Sequence, residues 1–262
     1  MTHSHPYLHF SVVGQGPMVV LSHALGCDLS MWDGVASRLA ASFTVLRYDH
    51  RGHGQSDAPP GDFAISQLAE DAAQLIQAQA SGPVHFVGLS MGGMTAQALA
   101  AAHPERLKTM VIANSADVYG AAAQSLWQTR VDTVLANGVG AIADGAMQRW
   151  FTPEFRADEA GGGAAQVARL RARLVQCDPQ AYAASCRAIS SIDFRASNRR
   201  VRCPTLVIGG TRDEATPMAQ SEAIAASIQG SQLVALDAAH LSAVEQPEAF
   251  AHALSTFFAR HP

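Results

Sequence analysis

The chain has a single lysine, Lys108, among its 262 residues, and only 15% of them are charged. Its net charge is −4 at pH 7 and its arginines are scattered, so no basic stripe is available to neutralise a phosphate backbone. That argues against a nucleic-acid partner. Long apolar runs are also missing. No window approaches the roughly 20 residues a bilayer-crossing helix needs, and residues 1–10 show no basic start followed by an apolar stretch. These absences predict a cytoplasmic protein with no membrane contact. The four cysteines, Cys27, Cys177, Cys186 and Cys203, lack metal-like pairing and are expected to be reduced thiols. His3, His5 and His9 lie on a terminus without a supporting shell, so no metal is expected. Gly138-Val139-Gly140-Ala141-Ile142-Ala143 imitates a dinucleotide fingerprint but follows a helical stretch instead of a strand, so no cofactor is expected either.

What the chain does have is enough apolar material, 48%, to bury one sizeable core. Strand signals fall at 8–13, 18–21, 44–48, 84–89, 109–113, 205–208 and 232–236, with helical stretches between the later ones. This alternation predicts an α/β fold: a mainly parallel twisted sheet flanked by helices. Between 119 and 200 no strand signal appears. The apolar spacing of Leu126, Val131, Val134 and Leu135, of Ile142 and Met147, and of Val167, Leu170 and Leu174 predicts helices there. The expected organisation is therefore a core of 1–118 and 201–262 carrying an inserted helical cap at 119–200. The glycines within 159–165 are read as a flexible joint between cap helices.

One segment carries the chemistry. Val84-His85-Phe86-Val87-Gly88-Leu89-Ser90-Met91-Gly92-Gly93 joins an apolar strand to an alanine-rich helix, read over 94–102, through one serine framed by glycines. Such a nucleophile elbow pushes the hydroxyl above the sheet, and side chains two residues either side of Ser90 would collide. A lone serine needs a base and an orienting acid. Asp213 lies just past the strand at 205–208, and His240 lies in the loop beyond 232–236, so serine, acid and histidine follow in the order this architecture uses. Glu214 adjoins Asp213, and Asp117, after the strand at 109–113, is an alternative acid. An oxyanion hole requires two backbone N–H groups. Met91 is one expected donor and Leu25, in Ser22-His23-Ala24-Leu25-Gly26, is the other.

These residues resemble the α/β-hydrolases, and within them the 3-oxoadipate enol-lactonases. The resemblance runs nearly end to end. It includes Ser22 to Trp32, the widely shared Leu46-Arg47-Tyr48-Asp49-His50-Arg51-Gly52-His53-Gly54-Gln55-Ser56, and Arg149-Trp150-Phe151-Thr152-Pro153. It continues through Tyr182-Ala183-Ala184-Ser185-Cys186, Ala215-Thr216-Pro217 and Ala239-His240-Leu241-Ser242. The resemblance implies opening of a small lactone through an acyl-enzyme on Ser90, with Trp127 and Arg130 of the cap as substrate-binding residues. Two departures stand out. Asp117-Val118 replaces a small residue followed by a basic one, and His50 stands where lactonases usually carry threonine. Another carboxylesterase, a carbon–carbon bond hydrolase, or a hydrolase-derived small-molecule receptor are the alternatives.

Overall fold

A computed structural model describes residues 6–262. His3 and His5 lie outside the described residues. Seven strands form one sheet: β1 (Phe10–Val13), β2 (Met18–Ser22), β3 (Thr44–Tyr48), β4 (Val84–Leu89), β5 (Leu107–Ala113), β6 (Thr205–Gly210) and β7 (Gln232–Leu236). The spatial order is β1-β3-β2-β4-β5-β6-β7, with only β1 antiparallel to its neighbour. The chain steps outward from β2 to β3, then returns past β2 to β4 and continues to β7. That reversal opens a crevice at the strand ends between β2 and β4, where sites form in open parallel sheets. Every residue of β4 and β6 is buried, which explains their continuous apolar sequences.

Core helices α1 (Asp33–Leu39), α2 (Ile65–Gln79) and α3 (Met91–Ala102) cover the first half of the sheet. Between β5 and β6 come α4 (Ala121–Asn137), α5 (Gly140–Trp150), α6 (Pro153–Ala157), α7 (Gly163–Val175), α8 (Pro179–Ser190) and α9 (Arg195–Asn198). The core resumes with α10 (Met218–Ser227), α11 (Ser242–Glu245) and α12 (Pro247–Phe258). The apolar face of α12 closes the sheet: Phe258 stacks near His85, with ring centroids 4.3 Å apart, and Phe250 meets the fully buried Trp32 at 5.9 Å. Among the described residues, no helix is long and apolar enough to cross a membrane.

Two local differences from the sequence reading have clear causes. Helix α3 begins at Met91, three residues earlier than its alanine-rich pattern suggests, and its first turn contains Gly92 and Gly93. Those glycines are close approaches and not helix breakers: a Cβ on Gly92 would lie 2.1 Å from the Ser22 carbonyl oxygen, and one on Gly93 would lie 2.7 Å from Ser115 Cβ. The glycines after α6 form a hydrogen-bonded turn. Gly161 donates to the Asp158 side chain at 2.7 Å and Ala164 to its carbonyl at 2.9 Å, while Gly163 already belongs to α7, packed against the Phe155 carbonyl.

Candidate active site

Ser90 sits between β4 and α3 with φ 57° and ψ −114°, a conformation that L-residues avoid. The surroundings hold it there. Its N–H donates to the Ala113 carbonyl at 2.9 Å, and its own carbonyl accepts from Met94 N–H at 3.0 Å and Ser115 Oγ at 2.8 Å. A Cβ on Gly88 would fall 1.9 Å from the Gly92 oxygen, so the flanking glycines are a steric requirement of the turn.

The loops after β6 and β7 bring the acid and the histidine to this serine. His240 Nδ1 lies 2.9 Å from Asp213 Oδ2, and His240 Nε2 lies 3.0 Å from Ser90 Oγ. Because a carboxylate only accepts, Nδ1 carries the proton and Nε2 is left to accept from the Ser90 hydroxyl. Asp213 is held on all sides. Its Oδ1 accepts the Ala215 and Thr216 N–H groups at 2.8 and 2.9 Å, and its Oδ2 accepts Thr216 Oγ1 at 2.7 Å and Asn114 Nδ2 at 3.0 Å. Burial alone pushes this carboxyl up. The charge and hydrogen bond of His240, with those from Thr216 and Asn114, outweigh it and hold Asp213 down at about 2.

The alternative acids stand apart. Asp117 is buried and its carboxyl is pushed up by desolvation, but His240 Nδ1 contacts only Asp213 and, at 3.3 Å, Thr216 Oγ1. Glu214 faces the cavity without reaching the imidazole. The residue that β5 does contribute is Asn114, in a left-handed conformation at φ 44° that asparagine tolerates. Besides Asp213, its amide reaches the Ala239 carbonyl, and its oxygen accepts from Ser242 Oγ at 2.5 Å. Glu245 fixes the same loop by accepting Ala239 N–H and, from the turn between α5 and α6, Thr152 N–H at 2.6 Å. The position of Asn114, directly after a buried strand, was the available sequence signal for it.

Leu25 lines the cavity and Met91 directly follows Ser90 at the start of α3; among the described residues neither backbone N–H donates a hydrogen bond. A cavity of about 360 Å³ joins Ser90 and His240 to Leu25, Met94, Tyr119, Trp127, Arg130, Arg149, Trp150 and Tyr182. The Arg130 guanidinium lies over the Trp127 indole, 4.6 Å from its centroid, and Tyr119 braces that ring edge-on at 5.8 Å. Arg149, on α5, was not singled out from sequence as a substrate residue. Burial, and then the like charge of Arg130, pushes its pKa below the usual arginine value. Among the described residues neither arginine forms an ion pair with a carboxylate. His50 does not line the cavity; it is buried beneath the β2 loop with Nε2 2.9 Å from Ser22 Oγ. His9 Nδ1 is paired with Asp49 at 2.9 Å.

Comparison with known proteins gives a consistent picture. Residues 17–247 match the model of the alpha/beta hydrolase fold. The chain is 37% identical to 3-oxoadipate enol-lactonase 2 of Acinetobacter baylyi over 97% of its own length and 93% of the relative's. Among solved structures it is similar to the enol-lactonase from Burkholderia xenovorans LB400, with TM-score 0.91, 37% identity and 97% coverage of both chains. It also resembles a thermophilic esterase from Thermogutta terrifontis, with TM-score 0.91, 28% identity and coverage of 98% of this chain and 95% of the esterase.

Proposed function

The chain belongs to the α/β-hydrolase family, and from that premise we propose that it is a serine hydrolase opening a small anionic lactone, 3-oxoadipate enol-lactone. The observation that carries this reading is the composition of the cavity at Ser90. In it Ser90 Oγ lies 3.0 Å from His240 Nε2, beside two guanidiniums that, among the described residues, form no ion pair with a carboxylate, with Glu214 on the same lining acting on Arg149 only by its charge. Burying charge without a partner is costly, so a site built this way favours a ligand that brings the missing negative charge.

The chemistry follows from the distances. Ser90 Oγ attacks the lactone carbonyl as His240 Nε2 takes its proton, and Asp213 stabilises the resulting imidazolium without taking up a proton itself. The Leu25 and Met91 N–H groups receive the oxyanion. Collapse of the tetrahedral intermediate breaks the ring C–O bond, and His240 returns the proton to the departing enol oxygen. The enol becomes a ketone, which removes the nucleophile that would close the ring again. Water, deprotonated by His240, then attacks the acyl-enzyme and releases the new carboxylic acid. Arg130 and Arg149 hold the acetate carboxylate of the lactone while Trp127 and Trp150 enclose its apolar ring. Arg149 supplies, from α5, the positive charge that Val118 does not. The reaction needs no cofactor, and a cytoplasmic setting fits its place in aromatic-compound breakdown.

Ring opening of 3-oxoadipate enol-lactone by the purified protein, followed spectrophotometrically, tests the reading. Turnover with kcat/KM above about 10⁴ M⁻¹s⁻¹ is expected. Hydrolysis of neutral esters with no turnover of the lactone would contradict the substrate assignment.

A further inference from the structure

Three buried histidines, His23, His50 and His53, pack against one another under the β2 loop, with ring centroids of His23 4.6 Å from His50 and 5.2 Å from His53. None of them touches Ser90 or His240, and none lines the cavity. Polar rings this deeply buried need a use for their nitrogens. The ring hydrogen bonds of His23 and His53 fall on the two peptide planes that flank Leu25, while His50 Nε2 pairs with Ser22 Oγ.

The Ala24–Leu25 peptide carries the Ala24 carbonyl at one edge and the Leu25 N–H at the other, pointing in opposite directions because the unit is planar and trans. The Ala24 oxygen accepts from His23 Nδ1 at 2.8 Å and from Cys27 N–H at 3.1 Å. Fixing that carbonyl on one side aims the Leu25 N–H to the other. The next peptide is fixed by its N–H, since Gly26 donates to His53 Nε2 at 3.1 Å. The two planes together determine both soft dihedrals of Leu25. The rings are oriented in turn: His23 Nε2 accepts His50 N–H at 2.9 Å, and His53 Nδ1 donates to the Arg51 carbonyl at 3.1 Å. Each ring thus has one assigned donor and one assigned acceptor, which only the neutral imidazole can supply. Desolvation keeps them neutral, pushing His23 down and His53 down to about 3.

We infer that His23 and His53 are positioning residues for the oxyanion hole, holding the Leu25 N–H at the angle the developing oxyanion requires. The inference rests on the proposed role of Leu25 as an oxyanion donor. It predicts an effect that grows toward the transition state, because the N–H is needed there more than in substrate binding.

The test compares His53→Leu, which removes the acceptor for Gly26 N–H, with His53→Gln, whose amide oxygen can still accept. The readouts are kcat and KM for the enol-lactone and inhibition by phenylboronic acid, which forms a tetrahedral adduct on Ser90 and places an oxygen in the hole. His53→Leu should lose about 10- to 100-fold in kcat with KM changed less than threefold, and should lose boronic-acid affinity in step. His53→Gln should keep at least a third of parental kcat and the parental boronic-acid affinity. Parental kcat in folded His53→Leu, or a loss confined to KM, would overturn the inference. If His53→Leu does not fold, a tenfold loss of boronic-acid affinity in folded His53→Gln would overturn it, and parental affinity there would support it. Absence of turnover and of boronic-acid binding in the parent would instead remove the hydrolase reading itself, and this inference with it.

Discussion

The sheet side of the cavity and the helical side are built in different ways. On the sheet side Asp213 accepts five hydrogen bonds, Ser90 is held in a strained turn by three, and both peptides around Leu25 are tied to histidine rings. On the helical side Arg130 and Arg149 are half-buried; Arg130 lies over Trp127 and beside the Tyr182 hydroxyl, and among the described residues neither forms an ion pair with a carboxylate. Charge divides the same way. Residues 119–200 carry ten arginines against seven acids and no histidine, while the rest of the chain carries eight basic residues against fifteen acidic ones and all eleven histidines. The arginines that look scattered along the whole sequence are therefore concentrated in the inserted helices. On the proposed reading, the sheet side carries the bond making and breaking, and the inserted helices carry the positive charge that would meet an anion.

The difference makes substitutions on the sheet side act on rate for every substrate. Ser90→Ala removes the nucleophile and should lower kcat/KM roughly 10⁵-fold on lactone and neutral ester alike, with little change in melting temperature. Asp213→Asn should cost roughly 10³- to 10⁴-fold on both substrates, because the amide favours the wrong imidazole tautomer, whereas Asp117→Asn should stay within about fivefold. Steady-state kinetics of the purified variants check both, and the opposite ranking of the two aspartates would move the acid to β5.

A smaller effect separates the two regions by stability. His53 is pushed from 6.5 to about 3 by burial, and His23 and His50 are also lowered, so these rings resist protonation when folded and accept it when unfolded. Their neutral packing costs nothing above about pH 6.5, and stability falls as pH drops from there toward 3, because the unfolded chain binds more protons. Calorimetry should show a melting temperature lower by roughly 3–10 °C at pH 5 than at pH 7. His53→Gln should reduce that drop. An unchanged melting temperature across this range would mean that the cluster takes up protons without opening.

The sequence was most legible where the chain has fewest choices. Gly88 and Gly92 have no alternative in that turn, since their contacts leave no room for side chains, and buried strands show as unbroken apolar runs. Asp213 and His240 could be located because strand ends mark where such residues occur. Asn114 and Thr216 were not found, because their role is to hydrogen-bond across 99 and 3 residues to a carboxylate, and no periodicity records a tertiary contact. Arg149 escaped for a related reason. On a half-exposed helix an arginine facing a cavity and one facing water have the same spacing, and only the packing of α5 against α4 and α7 distinguishes them.

The division between a chemical floor and a charge-reading roof is tested most directly by comparing 3-oxoadipate enol-lactone with its neutral methyl ester in Arg130→Ala and Arg149→Ala. Each substitution should lower kcat/KM for the anionic lactone by about 2 kcal/mol, or roughly 30-fold, while leaving the methyl ester within threefold of parental values. Equal losses on the two substrates, or no loss on either, would contradict the assignment of the helical side to carboxylate recognition.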